Sequence, residues 1–152
     1  TGFDTGSDYA KRSEFEVHGV GGKTLSEHHR AGTRTYHGFY SHGFPNFFML
    51  NGPGAPVGNF PLIDIAERQW EYIEQLLEPV RRGEARTVEP LEPAYQAYEA
   101  RRIAAAKKTI FGSGCTSWYL DKTGIPATWP WGYHDFANAM AKPVAEEFAF
   151  AA

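Results

Sequence analysis

The sequence contains a single cysteine, Cys115, among its 152 residues. One thiol cannot close an internal disulfide, so the fold must depend on its hydrophobic core. Basic residues are also few: 15 Lys and Arg against 18 Asp and Glu give a formal net charge of −3. Without a basic surplus, we expect neither nucleic acid nor an acidic membrane surface as a partner. No apolar run approaches the roughly 20 residues of a membrane span, and we expect a cytoplasmic protein.

Complete nucleotide-binding motifs are missing as well. Residues 21–24 read GGKT, the end of a phosphate-binding P-loop, but Val17 stands where that loop needs its first glycine. A dinucleotide fingerprint needs three spaced glycines, and each G-x-G fragment here lacks the third. The three fragments start at Gly19, Gly52 and Gly112.

Histidine is abundant, with six residues that include His28, His29, His37 and His42. Their spacing does not place two ligands on one helical turn, which favours surface or cofactor-adjacent histidines over a metal site. Ser26-Glu27-His28 is not a catalytic triad, because its members are sequence neighbours and no GxSxG elbow is present. We therefore predict no metal ligands and no catalytic residues, and we expect Cys115 to be a small buried residue.

The clearest helix pattern follows Pro61. Apolar residues recur every three or four positions, and Arg81-Arg82-Gly83 is typical of a helix end. Asn59 is the predicted N-cap, with Pro61 in the first turn. The predicted buried stripe is Leu62, Ala66, Trp70, Ile73, Leu77 and Val80.

Two further helices are predicted towards the C-terminus. One begins near Pro93, carries an imperfect apolar stripe and ends before Gly112; the other is capped by Asp135 and runs through Met140. The acidic, proline-containing segment 84–93 is the predicted linker or boundary. The stripe of the first of these helices is Tyr95, Tyr98, Ile103, Ala106 and Ile110.

Extended segments are predicted where apolar, β-branched and aromatic residues cluster. The central one, Phe47 to Leu50, has no alternation and reads as a strand buried on both faces, followed by a Gly/Pro turn and the long helix. Strand, turn and helix N-terminus would gather backbone N–H groups that suit an anionic or electron-rich cofactor. We also predict a short helical turn within 24–30, an aromatic loop at 125–133 that packs over its neighbours, and extended structure at 14–18, 33–40 and 115–120.

The order of several motifs resembles the C-terminal part of flavin-containing Baeyer–Villiger monooxygenases, over about Thr1 to Met140. The motifs are TGFD, GKTLSEHHRAGTRTYHGFYSHGFPNFFMLNGPGAP, NFP before the long helix, and CTSWYLDKTG followed by an aromatic tail. Proteins of this family bind FAD, take hydride from NADPH and use oxygen to form a flavin peroxide that attacks a ketone. The products are esters or lactones, and many members also oxygenate sulfur.

The resemblance implies an α/β fold, namely the C-terminal portion of an FAD/NAD(P)-binding Rossmann-like fold. Short strands and a long helix after a Gly/Pro turn would be followed by a C-terminal helical and aromatic extension. Residues 1–83 would complete the FAD-binding domain, and residues 84–152 would be an extension packed on the FAD and NADP domains.

The same resemblance implies roles for individual residues. Two cofactor-binding residues would be Gly2, at the end of the last FAD-domain strand, and Trp118, near the nicotinamide nucleotide. The segment from Gly52 to Phe60 would form the turn beside the flavin and the start of the helix that faces it. Its cofactor-binding residues would be Gly52, Pro53, Gly54, Asn59 and Phe60, and its substrate-pocket residues Val57, Gly58 and Phe60.

The glycine fingerprints and the family's catalytic arginine and aspartate are absent from the sequence, which opens on Thr1. We therefore expect a fragment of an FAD- and NADPH-dependent enzyme, inactive alone, whose partners are the missing N-terminal domains and a ketone or sulfide substrate. Two alternatives stay open: an N- or S-oxygenating flavin monooxygenase, and a non-catalytic binding or interaction domain.

Overall fold

The computed structural model describes residues 15–30, 32, 34–114, 117 and 119–152. Among these residues, the α-helices and β-strands in chain order are α1 (Leu25–His28), α2 (Leu62–Arg81), β1 (Thr87–Pro90), α3 (Glu92–Ala106), α4 (Tyr133–Ala141) and β2 (Phe148–Ala151). This mixed helix and strand content agrees with the predicted class. The named strands form one two-stranded antiparallel sheet. In this described part, no helix is both long and apolar enough to cross a membrane.

Helix α2 begins later than predicted. Its N-cap position is Pro61, which makes no side-chain capping hydrogen bond, whereas Asn59 is exposed. The N–H groups of Asn59 and Phe60 both donate to the Pro56 carbonyl, at 3.0 and 3.2 Å. The chain therefore completes a separate turn before the helix starts, and the prediction that Asn59 caps α2 is wrong.

The buried face of α2 is also rotated from the predicted stripe. Leu62 and Trp70 are exposed, and Ile73 is the one fully buried residue that the prediction contains. Gln69 is buried because its Oε1 accepts the Asn51 N–H at 2.8 Å. Gln69 and Tyr72 therefore occupy core positions, although the spacing of apolar residues along the helix predicts other residues there. The buried face consists of Ile65, Gln69, Tyr72, Ile73 and Leu76.

The predicted linker at 84–93 contains β1 instead. This strand pairs with β2 in antiparallel register, from Thr87 opposite Ala151 to Pro90 opposite Phe148. Val88 is fully buried. Proline is tolerated at the end of β1 because the sheet has only two strands, so each strand keeps one unpaired edge. The linker prediction is therefore wrong, and sequence pattern alone missed both strands.

One hydrophobic core spans the proposed boundary at residues 83 and 84. Aromatic rings dominate this core, and side chains from both segments interleave in it. Whether the two segments belong to different domains of a longer enzyme stays a prediction. The core includes Tyr36, Phe39, Tyr40, Ile65, Tyr72, Tyr98, Trp129, Phe136 and Phe148.

Helix α3 carries a buried ion pair that the predicted stripe did not contain. It starts at Glu92 with Pro93 in its first turn, as expected, but ends at Ala106 and leaves Ile110 exposed. Its buried residues are Tyr95, Tyr98, Glu99, Arg102 and Ala106.

Helix α4 extends one residue past Met140. Asp135 does not precede this helix, as an N-cap would, but accepts the Gly132 N–H from the third helical position, at 3.1 Å. A carboxylate in the first turn still favours the helix N-terminus electrostatically.

The predicted strand from Phe47 to Leu50 is not formed. Asn46 and Asn51 both adopt left-handed backbone angles, with φ of 59° and 53°, so the chain turns at each end of the run. Within it, Phe48 forms an isolated bridge to Tyr40, and Leu50 is exposed.

The other extended predictions are likewise reduced to isolated bridges in the described residues. His18 pairs with Thr24, Tyr36 with Tyr40, and Leu120 with Pro126. The remainder of the predicted strands at 14–18, 33–40 and 115–120 includes Glu14, Thr33, Cys115, Thr116 and Trp118, which lie outside the described residues. The short helix predicted within 24–30 is confirmed as α1, with Thr24 and Glu27 forming a capping box.

Candidate functional site

The turn at 52–56 is buried, and its backbone donors are already used. Gly52 N–H donates to Met49 O at 2.9 Å, Gly54 N–H to Ala127 O at 3.1 Å, and Ala55 N–H to Gly52 O at 3.1 Å. These three N–H groups therefore do not form an open anion-binding nest. The 52–56 turn is thus a buried and internally hydrogen-bonded segment. The cofactor-binding role of Gly52, Pro53 and Gly54 stays a prediction.

The turn that contains Gly38 packs directly against the 52–56 turn. Gly38 has a φ of +80°, and a Cβ placed on it would lie 2.5 Å from the Ala55 backbone nitrogen. A Cβ on Gly52 would in turn lie 2.6 Å from the Gly38 carbonyl oxygen. No side chain fits between the two turns, so both positions need glycine.

A buried arginine fixes the other side of the turn. Arg102 of α3 is 1% exposed and donates to Glu99 at 2.8 and 3.0 Å, and its Nη1 donates to Pro126 O at 2.8 Å and Thr128 O at 3.4 Å. Burial acts to lower the pKa of the Arg102 guanidinium, but the hydrogen bonds and charge of Glu99 outweigh burial and raise that pKa. Arg102 therefore holds the 126–128 loop as a permanent cation.

The 126–128 loop connects Arg102 to the base of the site. Ala127 accepts the Gly54 N–H, and Thr128 Oγ1 donates to Ala55 O at 3.4 Å. A chain of hydrogen bonds thus runs from α3 through this loop to the 52–56 turn. Sequence reasoning missed Arg102. Its one visible signal was the i, i+3 spacing from Glu99 on the helix face that also carries Tyr95 and Tyr98.

The open face of the candidate site follows the turn. We call it the 57–63 surface: Val57, Gly58, Asn59, Phe60, Leu62 and Ile63. Gly58 and Asn59 are exposed, and Ile63 is 75% exposed. Phe60 packs edge-on against Tyr133 of α4, with ring centroids 5.2 Å apart. This surface ends at the uncapped N-terminus of α2, where the N–H groups of the first turn carry partial positive charge.

The structure therefore brings together one continuous part of the predicted site. Gly52, Pro53 and Gly54 are buried, whereas Gly58 and Asn59, a few residues further along the same segment, are exposed. Gly2 and Trp118 lie outside the described residues, so their predicted contacts with the cofactors stay predictions.

The predicted aromatic loop packs as expected. Trp129 is buried, its ring centroid lies 4.7 Å from that of Trp131 and 5.4 Å from that of Phe136, and Nε1 donates to Gly132 O at 3.3 Å. A cavity of about 220 Å³ opens beside the loop. Its lining residues are Arg101, Trp129, Trp131, Asp135 and Ala139.

Two of the histidines contact groups outside the 57–63 surface. His28 Nε2 is 3.0 Å from Tyr95 Oη, and His42 Nδ1 is 2.8 Å from Pro90 O. The described ranges contain no group of three His, Cys, Asp or Glu side chains placed to hold a metal ion. Burial lowers the pKa of His28 to about 4, helped by the positive charge of nearby basic residues.

His28 predicts a loss of stability in acid. Its pKa is about 4 in the folded state and about 6.5 when unfolded, so the unfolded chain binds the extra proton between these values. The free energy of unfolding should therefore fall as pH drops from about 6.5 to 4. We expect His28→Gln to reduce this dependence, measured by urea denaturation at several pH values, while buried His37, whose pKa is lowered to about 3, keeps a part of it. Exposed His18→Gln is the matched control; an unchanged profile for His28→Gln would contradict the assignment.

Comparisons with known proteins identify relatives of this chain. No family model matches. An uncharacterized monooxygenase of Mycobacterium tuberculosis is 38% identical over 148 residues, which covers 97% of this chain and 29% of the relative. A Baeyer–Villiger monooxygenase of Streptomyces coelicolor is 35% identical over 117 residues, or 75% of this chain and 22% of the relative. An FAD-binding monooxygenase of Aspergillus niger is 29% identical over 130 residues, covering 79% of this chain and 21% of the relative.

Solved structures show the same likeness in three dimensions. A triple variant of cyclohexanone monooxygenase from Rhodococcus, bound to NADP+, superposes with a TM-score of 0.81 at 28% identity, covering all of this chain and 28% of its own. An oxidized steroid monooxygenase bound to NADP gives a TM-score of 0.79 at 28% identity over 90% of this chain and 26% of its own. The chain spans less than a third of the length of the relatives it matches.

Proposed function

Because the chain is homologous to part of the flavin-containing monooxygenases of the Baeyer–Villiger type, we propose that it forms one wall of the flavin site in an FAD- and NADPH-dependent monooxygenase. The observation that carries this proposal is the 38% identity over 97% of the chain to a monooxygenase. The reaction we propose is the insertion of oxygen from O2 into a ketone, which gives an ester or lactone. The Baeyer–Villiger and cyclohexanone monooxygenases among the relatives support this choice of substrate class.

The 57–63 surface is the part of the chain that we assign to the flavin. It combines exposed backbone at Gly58 and Asn59 with the apolar side chains of Phe60, Leu62 and Ile63. Apolar area suits a flat ring system, and the uncapped N-terminus of α2 favours negative charge beside it. FAD would supply the oxygen chemistry. The chain would supply a helix N-terminus, whose first turn also carries the Asp64 carboxylate paired with Arg68, beside the buried 52–56 turn.

Three further assignments complete the proposal. Residues 1–83 belong to the FAD-binding domain and residues 84–152 to an extension, and the described parts of these two segments share one hydrophobic core. Gly2 and Trp118 contribute to FAD and NADPH binding respectively. The dinucleotide fingerprints and catalytic groups are supplied by the remainder of the enzyme, because this chain carries none of them.

A chimera tests the proposed reaction. This chain replaces the matching 148-residue segment of the Mycobacterium tuberculosis monooxygenase, and the purified protein is given NADPH, O2 and a panel of ketones, sulfides and amines. We expect ketone-dependent NADPH oxidation, with an ester or lactone detected by mass spectrometry. The unmodified relative is the control for the assay.

The products separate the candidate functions. Oxygenation of sulfides or amines without any ester or lactone would replace the ketone proposal by the N- or S-oxygenating alternative. A folded chimera that binds FAD but accepts no substrate would contradict the assignment of the substrate pocket to Val57, Gly58 and Phe60.

A further inference from the structure

The hydroxyl of Tyr133 joins the first turn of α4 to the start of α2. Tyr133 Oη donates to Asp64 Oδ2 at 2.8 Å and accepts the Arg68 Nε–H at 3.1 Å. Arg68 Nε also lies 3.3 Å from both carboxylate oxygens of Asp64. A hydroxyl that donates on one side and accepts on the other uses both of its hydrogen-bonding roles. Two side chains of α2 therefore hold the Tyr133 side chain in one orientation.

The ring of the same tyrosine contacts Phe60. The two ring centroids are 5.2 Å apart and the ring planes meet at 88°, an edge-to-face arrangement that aromatic pairs prefer. The Phe60 ring also lies 6.4 Å from the ring of Phe136, further along α4. Phe60 therefore rests against α4, although it precedes α2 in the chain.

Phe60 borders the part of the 57–63 surface that is predicted to hold the substrate. An isolated backbone bridge pairs Phe60 with Val57, and Gly58, between them in sequence, is exposed. A movement of the Phe60 ring would therefore change the space beside this exposed backbone. The contact between Phe60 and Tyr133 is thus a contact between a predicted pocket residue and a residue of α4.

The hydrogen bonds of Tyr133 contribute more to orientation than to stability. The side chains of Arg68 and Asp64 are 34% and 32% exposed. Ion pairs this open to solvent add little to the free energy of unfolding. The convergence of both groups on one hydroxyl is therefore better explained by the placement of the Tyr133 ring than by the stability of the fold.

We propose that Tyr133 is a positioning residue, which fixes the Phe60 ring and thereby limits the size of the ketone that the enzyme accepts. This inference rests on the proposed function, because it takes Phe60 to be part of the substrate pocket. Asp64 and Arg68 hold the Tyr133 ring, and that ring holds Phe60. Weakening either contact lets the Phe60 ring turn away, so a bulkier ketone fits the pocket better.

The chimera described above tests the proposal with two cyclic ketones, cyclohexanone and the larger cyclododecanone. The readout is the ratio of kcat/KM for the larger ketone to kcat/KM for the smaller. Tyr133→Phe keeps the ring but removes the hydroxyl, and it should raise this ratio about fivefold, the effect of one net hydrogen bond. Tyr133→Ala also removes the ring and should raise the ratio about tenfold or more.

Tyr95→Phe is the matched control for the loss of a tyrosine hydroxyl. Its hydroxyl pairs with His28, outside the contacts of Tyr133 and Phe60. The ratio for Tyr95→Phe should equal that of the unsubstituted chimera.

Two further measurements test whether Tyr133 acts through Phe60. In a chimera that already carries Phe60→Ala, Tyr133→Phe should leave the ratio unchanged, because the ring that it positions is absent. In the 152-residue protein, the Tyr133 ring should shift the aromatic proton resonances of Phe60. Tyr133→Ala should move these resonances towards those of unstructured phenylalanine.

The outcomes separate this proposal from the proposed function. Ester or lactone formation with the same ratio in Tyr133→Phe, Tyr133→Ala and the unsubstituted chimera would overturn the positioning role alone. Unchanged Phe60 resonances in Tyr133→Ala, or an effect of Tyr133→Phe that persists without the Phe60 ring, would overturn it as well. An unsubstituted chimera that forms no product from either ketone would contradict the proposed function itself, and the positioning role would fall with it.

Discussion

Arg102→Met is expected to lower the free energy of unfolding by about 3–5 kcal/mol, the cost of breaking a buried ion pair from one side. The guanidinium is the donor to Glu99 and to the carbonyls of Pro126 and Thr128, and both charged side chains are almost fully buried. Methionine replaces much of the volume but donates nothing. Glu99 would then hold an unpaired charge in the core, and urea denaturation followed by circular dichroism would measure the loss.

Two variants separate the cost of leaving Glu99 unpaired in the core from the effect of losing an arginine side chain. Arg101→Met changes the neighbouring, exposed arginine and should alter stability by about 1 kcal/mol or less. The double variant Glu99→Met with Arg102→Met removes both charges and should recover most of the loss, because the desolvation of the pair disappears with it. A single Arg102→Met variant as stable as the wild type would show that the guanidinium does not hold the 126–128 loop.

Gly38→Ala is expected to lower the free energy of unfolding by about 2–5 kcal/mol. Alanine is strained in the left-handed backbone conformation of this position, and its methyl group would also overpack the contact with the neighbouring turn. The methyl group would meet the Ala55 backbone at 2.5 to 2.6 Å, and backbone cannot rotate away as a side chain can. The 52–56 turn must therefore shift, taking the 57–63 surface with it. Thermal and urea denaturation give the stability change.

Gly83→Ala is the matched control for the backbone effect alone. Gly83 has a φ of +74°, and no neighbouring group among the described residues lies within 4 Å of the position that its methyl group would take. At this position alanine is disfavoured only by the left-handed backbone conformation, so we expect Gly83→Ala to lower the free energy of unfolding by about 1–2 kcal/mol. Equal losses at Gly38 and Gly83 would contradict the close packing of the two glycine turns.

The long helices were predictable because their signals are local. The spacing of apolar residues places α2 and α3, and Arg81-Arg82-Gly83 gives the end of α2 within one residue. The faces these helices bury were not predictable from the same spacing. Gln69 and Arg102 are buried together with partners distant in sequence, Asn51 and Pro126, that satisfy their polar groups.

The sheet could not be predicted because its pairing is entirely non-local. β1 and β2 are four residues each and separated by more than fifty positions, so neither makes a strong pattern alone. At residues 47–50, by contrast, a strand was predicted that the structure does not form. An apolar run suggested a strand there, but asparagines in left-handed conformations at both ends turn the chain.

The candidate site was partly predictable. The motif resemblance predicts a site at residues 52–60, a segment continuous in sequence, and its cofactor-binding and substrate-pocket roles stay predictions. The hydrogen bonds that fix this segment come from Ala127 and from Thr128, which Arg102 in turn holds. Such contacts depend on the tertiary fold, so no spacing rule could identify Arg102 as the residue that supports the turn.

The flavin content of the chimera tests the central claim most directly, through two exposed isoleucines of this chain. Ile63 belongs to the 57–63 surface and is 75% exposed, whereas Ile110 lies outside it and is 78% exposed. A glutamate at position 63 is favourable at a helix N-terminus, so folding should survive. Titrating FAD into each purified chimera while following flavin fluorescence gives the dissociation constants. We predict that Ile63→Glu weakens FAD binding at least about tenfold, equivalent to roughly 1.4 kcal/mol, and that Ile110→Glu leaves it unchanged. Equal FAD affinities for Ile63→Glu and the unsubstituted chimera would contradict the placement of the flavin against this surface.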